Sequence, residues 1–136
     1  MGSVERIKNV AKRVAKWHRA GYQMVVVPSA MSGETNRLLA LAKEVDGNAS
    51  LRELDMIAST GEQVSVGLLA IALQSIGVDA VSYTGSQAGI ITDTTHTKAR
   101  ILDIHPDRIE SAMREGKIVL VAGFQGHAGG RGRLAR

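Results

Sequence analysis

Two short runs of unbroken apolar residues, Met24–Val27 and Ile118–Ala122, constrain the fold most. Each is strand-length and rich in β-branched residues, and neither alternates with polar positions. A strand with no polar face is covered on both sides, the condition of a parallel sheet between helices. The flanking sequence supplies the helices. Ser3–Ala20 carries Ile7, Val10, Ala11, Val14 and Trp17 at i, i+3, i+4, i+7 spacing, with Lys8, Lys12 and Lys16 off that stripe. Gly21 suits the C-terminal cap of that helix. Tyr22–Pro28 reads as a strand buried on both faces, and a second helix is predicted from about Thr35 to Val45.

Ser50-Leu51-Arg52-Glu53 has the form of a capping box. The helix it opens is predicted to end near Gly61. A further helix over Glu62–Ile76 is apolar around most of its circumference. Asp79–Tyr83 reads as a strand, and Ile90–Thr94 with Arg100–Ile104 as a hairpin-like pair. Pro106 sits at the start of another helix, and Lys117–Phe124 is the second strongly buried strand. Helices alternating with apolar strands predict a layered α/β domain with a mainly parallel central sheet.

Composition narrows the functions available. Apolar residues make up 44% and charged residues 22% of the chain, as in globular domains. One Trp, two Tyr and one Phe are too few for a base-stacking surface. The absence of Cys excludes disulfides and thiolate metal sites, and the four His show no ligand spacing, so no metal site is expected. The net charge of +4 is uneven: residues 1–20 carry +5, residues 21–126 carry −4 and residues 127–136 carry +3. A mildly acidic body makes nucleic-acid binding a weak reading. No unbroken apolar run reaches the ~18 residues of a membrane span, and Ser3–Ala20 is too basic for a signal peptide, so cytoplasmic residence and no membrane partner are expected.

Three segments could carry chemistry. In Met24–Leu38, MVVVPSAMSGETNRL, a strand empties into a loop of small and hydroxyl residues that opens a helix. Ser29, Ser32, Gly33 and Thr35 there suit an anion or polar-substrate site built from hydroxyls and backbone N–H groups. Capping of the helix by Ser32 or Thr35 is the alternative, and both roles can coexist. The loop lacks the Lys of a P-loop. In Ser59-Thr60-Gly61-Glu62, a Glu at the head of an apolar helix is favoured by the helix dipole, or holds a substrate ammonium group. Gly123-Phe124-Gln125-Gly126 ends the last buried strand, where glycines permit tight turns beside a site. Asp93 and His96 fall in Thr92–Thr97, and no nucleophile-elbow pattern accompanies them.

Taken together, GSVERIKNVA (2–11), VVVPSAMSGETNRLLALA (25–42), ASTGEQVSVGLLAIAL (58–73), TGSQAGIITD (84–93), ARILDI (99–104) and EGKIVLVAGFQG (115–126) resemble the catalytic domain of bacterial aspartate kinases, in the amino-acid kinase superfamily. The segments occur in that family's order and cover about residues 2–126. The resemblance implies a three-layer α/β/α sandwich around a mainly parallel sheet. It also implies transfer of the ATP γ-phosphoryl group to the β-carboxylate of L-aspartate, the first step toward lysine, threonine and methionine, with Mg²⁺ accompanying ATP. It places Ser29 and Gly33 near the ATP phosphates, Thr35 and Glu62 at aspartate, with Glu62 by the amino group, and Phe124 at the border of the substrate pocket.

The family's KFGGTS strand and its Lys, and the TLGRGGSD motif with its Arg, Ser and Asp, have no match here, so no catalytic residue is assigned. The resemblance therefore implies a partial catalytic domain over 1–126, followed by a basic Gly/Arg tail over 127–136 that should not pack. Thr35 and Glu62 can position aspartate but cannot cancel its charge. The alternative to an impaired kinase is a folded, non-catalytic fragment or partner-binding module. An exposed sheet edge would favour self-association.

Overall fold

A computed structural model describes residues 3–92 and 101–123. Its elements are α1 (Val4–Arg19), β1 (Val25–Val26), α2 (Glu34–Val45), α3 (Leu51–Ser75), β2 (Ala80–Thr84), β3 (Ile90–Thr92), β4 (Ile101–Ile104), α4 (Asp107–Arg114) and β5 (Ile118–Ala122). β1, β5 and β2 form a parallel sheet in that order. Val25 pairs with Val119 on one side of β5, and Ala80 to Thr84 pair with Ile118 to Ala122 on the other. β3 and β4 form a separate antiparallel pair, Ile90 opposite Ile104.

The centre of the fold is β5, every residue of which is buried. Ile118, Leu120 and Ala122 pack into a cluster with Ile7, Ala11, Val14 and Ala15 of α1 and Val66, Leu69, Ala70 and Leu73 of α3. Val119 and Val121 point the other way, to Ala88 and Ala112, with Ile109 and Met113 of α4 against them. Helices thus cover both faces of β5, which explains its unbroken apolar sequence. The result is the expected α/β/α layering around a small parallel sheet.

The caps follow the sequence where side chains can reach. Ser3 Oγ accepts from Arg6 N at 3.2 Å and Ser50 Oγ from Glu53 N at 3.4 Å. Arg19 closes α1 onto α3, donating to the carbonyl of Ile76 at 2.8 Å.

Four expectations are corrected. Gly61 does not end a helix: α3 runs unbroken for 25 residues. An interior glycine costs a helix only about 1 kcal/mol, and the burial of Val66, Leu69, Ala70 and Leu73 on the same helix outweighs that. Nor is α3 apolar inward all round, since Val64 and Ile71 are exposed. β1 is not buried on both faces: it is the edge strand, with Val25 45% and Val27 58% exposed while Met24 and Val26 pack against the α1/α3 cluster. Trp17 is half exposed rather than on the core stripe, and meets Tyr22 edge-on with ring centroids 5.6 Å apart.

Joined into one helix, Leu51–Ser75 is long and apolar enough to cross a membrane by length and composition. In this fold Val66, Leu69, Ala70 and Leu73 lie in the cluster with β5 and α1, as in a core helix, while Leu51, Met56, Val64 and Ile71 are exposed.

Two substitutions separate the buried strand from the surface. Leu120→Ala, at a fully buried position, should lower the unfolding free energy by about 2–5 kcal/mol in urea denaturation. Val45→Ala, at a position 88% exposed, should change it by less than about 0.5 kcal/mol.

Candidate functional site

β1 delivers its chain at the carboxyl edge of the sheet into the loop 27–33, and α2 starts at Glu34. Gly33 is the N-cap of α2, with φ 79° in the left-handed region that favours glycine, and no side chain caps the helix. The capping alternative for Ser32 and Thr35 is therefore not realised. The first turn is closed by backbone groups: Glu34 N donates to Met31 O and Arg37 N to Gly33 O, each at 3.0 Å. The amides of Thr35 and Asn36 donate to no cap side chain and point toward the N-terminal side of the helix, as the opening amides of a helix do. Ser29, Ser32 and Gly33 are exposed, and Thr35 is half-buried at the second position of α2.

Glu62 reaches the same place from α3. It lies in the helix interior, 7% exposed, so dipole stabilisation at a helix head does not account for it. A Cβ placed on Gly123, just beyond β5, would lie 3.1 Å from Val27 Cγ1 and 4.0 Å from Glu62 Oε2. The Glu62 carboxylate therefore sits where β1 and β5 end. One residue earlier, a Cβ on Gly61 would lie 3.3 Å from Ala30 Cβ and 3.5 Å from both Glu34 Cγ and Leu38 Cδ1. The loop and the first turn of α2 thus rest directly against α3 beside Glu62. The carboxyl ends of parallel strands are where open α/β sheets bind ligands.

The structure places Ser29, Gly33 and Thr35 on the loop and helix start whose Ala30 and Glu34 pack against Gly61, the chain neighbour of Glu62. Phe124, Asp93 and His96 lie outside the described residues, as does the 127–136 tail. Among the described residues no three His, Asp or Glu side chains gather in a cation cluster.

Charges around the corner are partly committed. Arg37 Nη2 lies 2.5 Å from Glu34 Oε1 and Nε lies 3.1 Å from Oε2, a bidentate pair. The hydrogen bonds and charge of Arg37 hold the Glu34 carboxyl below its ordinary value, and Glu34 in turn raises Arg37. Lys117 belongs to the other end of β5. There Glu115, 3.3 Å away, raises its pKa mainly by hydrogen bonding, with its charge adding to the effect.

Two features escaped the sequence reading. Ser65, one turn beyond Glu62 on the same helix face, is fully buried, and its hydroxyl has no hydrogen-bond partner among the described residues. A serine at i+3 from Glu62 inside an apolar helix was the available signal. At the end of β2, Thr84 N donates to Gln87 Oε1 at 2.9 Å and Gln87 N to Thr84 Oγ1 at 3.1 Å. That reciprocal pair rigidifies a third strand-end loop, and Thr-x-x-Gln is its sequence signature. An apolar cavity of about 470 Å³ lies between α1 and α3, lined by Ile7, Lys8, Lys12, Leu68 and Ile71 among others. None of its lining belongs to the loop or to the Glu62 corner, and its walls lack the convergent polar groups of a substrate site.

The Glu34–Arg37 pair makes a pH prediction. Because the folded-state pKa of Glu34 is lowered, the pair adds stability above the ordinary carboxyl value of 4.5 and loses it as the pH falls through the folded value. NMR titration should place the Glu34 midpoint below 4.5 in the wild type and return it toward 4.5 in Arg37→Met.

Similarity to known proteins extends over most of the chain. The profile of the amino acid kinase family matches residues 1–135. An aspartate kinase of Pseudomonas fluorescens is 59% identical over 128 residues, covering 93% of this chain and 31% of the relative. Aspartokinase 2 of Bacillus subtilis is 52% identical over 126 residues, covering 93% of this chain and 31% of the relative. The chain thus spans about a third of the length of these relatives. Among solved structures, the aspartate kinase from Synechocystis superposes with a TM-score of 0.76 at 49% identity, covering 92% of this chain and 20% of that one. Aspartokinase III of E. coli, in complex with aspartate and ADP, superposes with a TM-score of 0.66 over 96% of this chain and 39% of that one. At 17% identity that likeness concerns the fold alone.

Proposed function

The chain belongs to the amino acid kinase family, and from that premise we propose that the corner formed by loop 27–33, the first turn of α2 and Glu62 is the L-aspartate subsite of an aspartate kinase. The reaction would carry the γ-phosphoryl group of ATP to the β-carboxylate of aspartate. The observation that carries the reading is the buried Glu62 carboxylate at the ends of β1 and β5, beside a helix start with no side-chain cap.

The two features suit the two ends of an amino-acid substrate. A carboxylate shielded from water attracts an ammonium group far more strongly than an exposed one. The Thr35 hydroxyl and the first-turn amides of α2 are donors for the anionic part of the ligand. Ser29 and Gly33, on the exposed side of the loop, are assigned to the phosphates of ATP. Phe124 keeps its assignment at the pocket border as part of the same proposal. Mg²⁺ would enter as the counter-ion of the nucleotide. The described residues fit that role better than a resident metal site, since Glu34 is committed to Arg37 and no carboxylate cluster is present among them.

In the reaction an oxygen of the β-carboxylate attacks the γ-phosphorus as the bond to the ADP oxygen breaks, giving an acyl phosphate and ADP. Two anions must meet, so positioning and charge neutralisation supply most of the rate. Thr35 and Glu62 contribute positioning. Arg37 is held by Glu34, and the chain supplies no match to the family's phosphate Lys or carboxylate Arg. That favours a second reading for the isolated chain: an aspartate-binding module with weak or no turnover. A half-exposed edge strand adds self-association as a further proposal, whereas nucleic acid and membrane remain poor partners for a mildly acidic body. Biosynthesis of aspartate-derived amino acids in the cytoplasm is the setting this activity implies.

Calorimetry with L-aspartate tests the subsite, and hydroxylamine trapping of the acyl phosphate in the presence of Mg-ATP tests turnover. Glu62→Gln should weaken aspartate binding by about 10–100-fold, the size of a lost charge-assisted hydrogen bond. Unchanged affinity in that variant would remove Glu62 from the subsite. Robust acyl-phosphate formation that Glu62→Gln abolishes would reject the binding-module reading in favour of a working kinase.

A further inference from the structure

We infer that Gly61 is a positioning residue: its missing side chain is a seat for Ala30, and the depth of that seat sets the gap between the loop donors and the Glu62 carboxylate. The inference rests on reading this corner as an aspartate subsite.

Two glycines interrupt α3, Gly61 and Gly67. Glycine weakens a helix interior wherever it stands, because its backbone has more freedom to lose. The two sites nevertheless differ. A Cβ on Gly67 would meet nothing within 4 Å. A Cβ on Gly61 would lie 3.3 Å from Ala30 Cβ and 3.5 Å from Glu34 Cγ and Leu38 Cδ1. Gly61 is buried and its φ is helical, so backbone conformation gives no reason for glycine there. The reason is the space occupied by Ala30 and by the start of α2.

That contact links the two halves of the corner. Ala30 lies between Ser29 and Met31 of the loop, and Glu34 stands next to Thr35. On the helix side, Glu62 follows Gly61 directly. A methyl group at 61 would press against Ala30, with Glu34 and Leu38 at ordinary contact distance, while Glu62 remains fixed by the burial of α3. Ala30 and the loop that carries it would have to give by a few tenths of an ångström. An amino acid as small as aspartate holds its ammonium and carboxylate groups at a nearly fixed separation. Displacements of that order therefore affect binding, as small misplacements do in sites that depend on orientation.

Gly67→Ala is the internal control. It should raise the melting temperature by roughly 2–6 °C through helix propensity, with aspartate affinity unchanged. Gly61→Ala should weaken aspartate about 5-fold or more in calorimetry and speed amide hydrogen exchange over residues 29–35. Adding Ala30→Gly to Gly61→Ala returns the space and should restore both readings. Ala30→Val presses on the same contact from the loop side and should reproduce the effect of Gly61→Ala, which keeps the test open if that variant folds poorly. Loop exchange in Gly61→Ala and Ala30→Val no faster than in the wild type overturns the inference, as does equal acceleration in Gly67→Ala. A wild-type chain that binds no aspartate counts against the subsite, and loop exchange still decides whether Gly61 seats Ala30.

Discussion

Burial of β5 on both faces fixes the rest of this molecule. Ile118, Leu120 and Ala122 engage α1 and α3, while Val119 and Val121 engage α4, so the strand cannot slip by one residue without exchanging its two contact sets. Its neighbours β1 and β2 run parallel to it, which aligns their carboxyl ends. The strand-end loops then gather along one edge of the sheet. α3, held on β5 by Leu69 and Leu73, carries Glu62 to that edge and sets its carboxylate beside Gly123. The chemistry of the corner thus follows from a core of aliphatic side chains.

Much of this was legible before any coordinates. The run Ile118–Ala122 announced a strand covered on both faces, and Ser3 and Ser50 announced helix starts through side chains that do cap. Local signals of this kind depend on a few adjacent residues. What failed was the weighing of local against distant forces. Gly61 reads as a helix stop because glycine is a weak helix former, yet tertiary burial along α3 exceeds that penalty. Met24–Val27 reads as buried because it is apolar. Its exposure follows from its place at the edge of the sheet, which depends on strand order, and strand order is not written in the strand's own residues.

The site shows the same division. Ser29, Gly33, Thr35 and Glu62 stand out by residue type and by family resemblance. The structure adds that the loop packs beside Gly61, and it gives Glu62 a different environment. A carboxylate at a helix head is ordinary stabilisation. Glu62 is instead buried in a helix interior, at the ends of two parallel strands. That placement is what supports the proposed role of Glu62 as the anchor of an ammonium group. Ser65 escaped notice because an isolated serine in an apolar helix carries no motif, and only its burial beside Glu62 distinguishes it.

The central claim is that Glu62 reads the amino group of aspartate. Comparing L-aspartate with succinate tests it most directly, because succinate keeps both carboxylates and lacks only that group. Calorimetry on the wild type should show aspartate bound at least about 10-fold more tightly than succinate, and Glu62→Gln should erase most of that difference by weakening aspartate alone. Equal affinity for the two acids in the wild type, or an undiminished preference for aspartate in Glu62→Gln, would contradict the account.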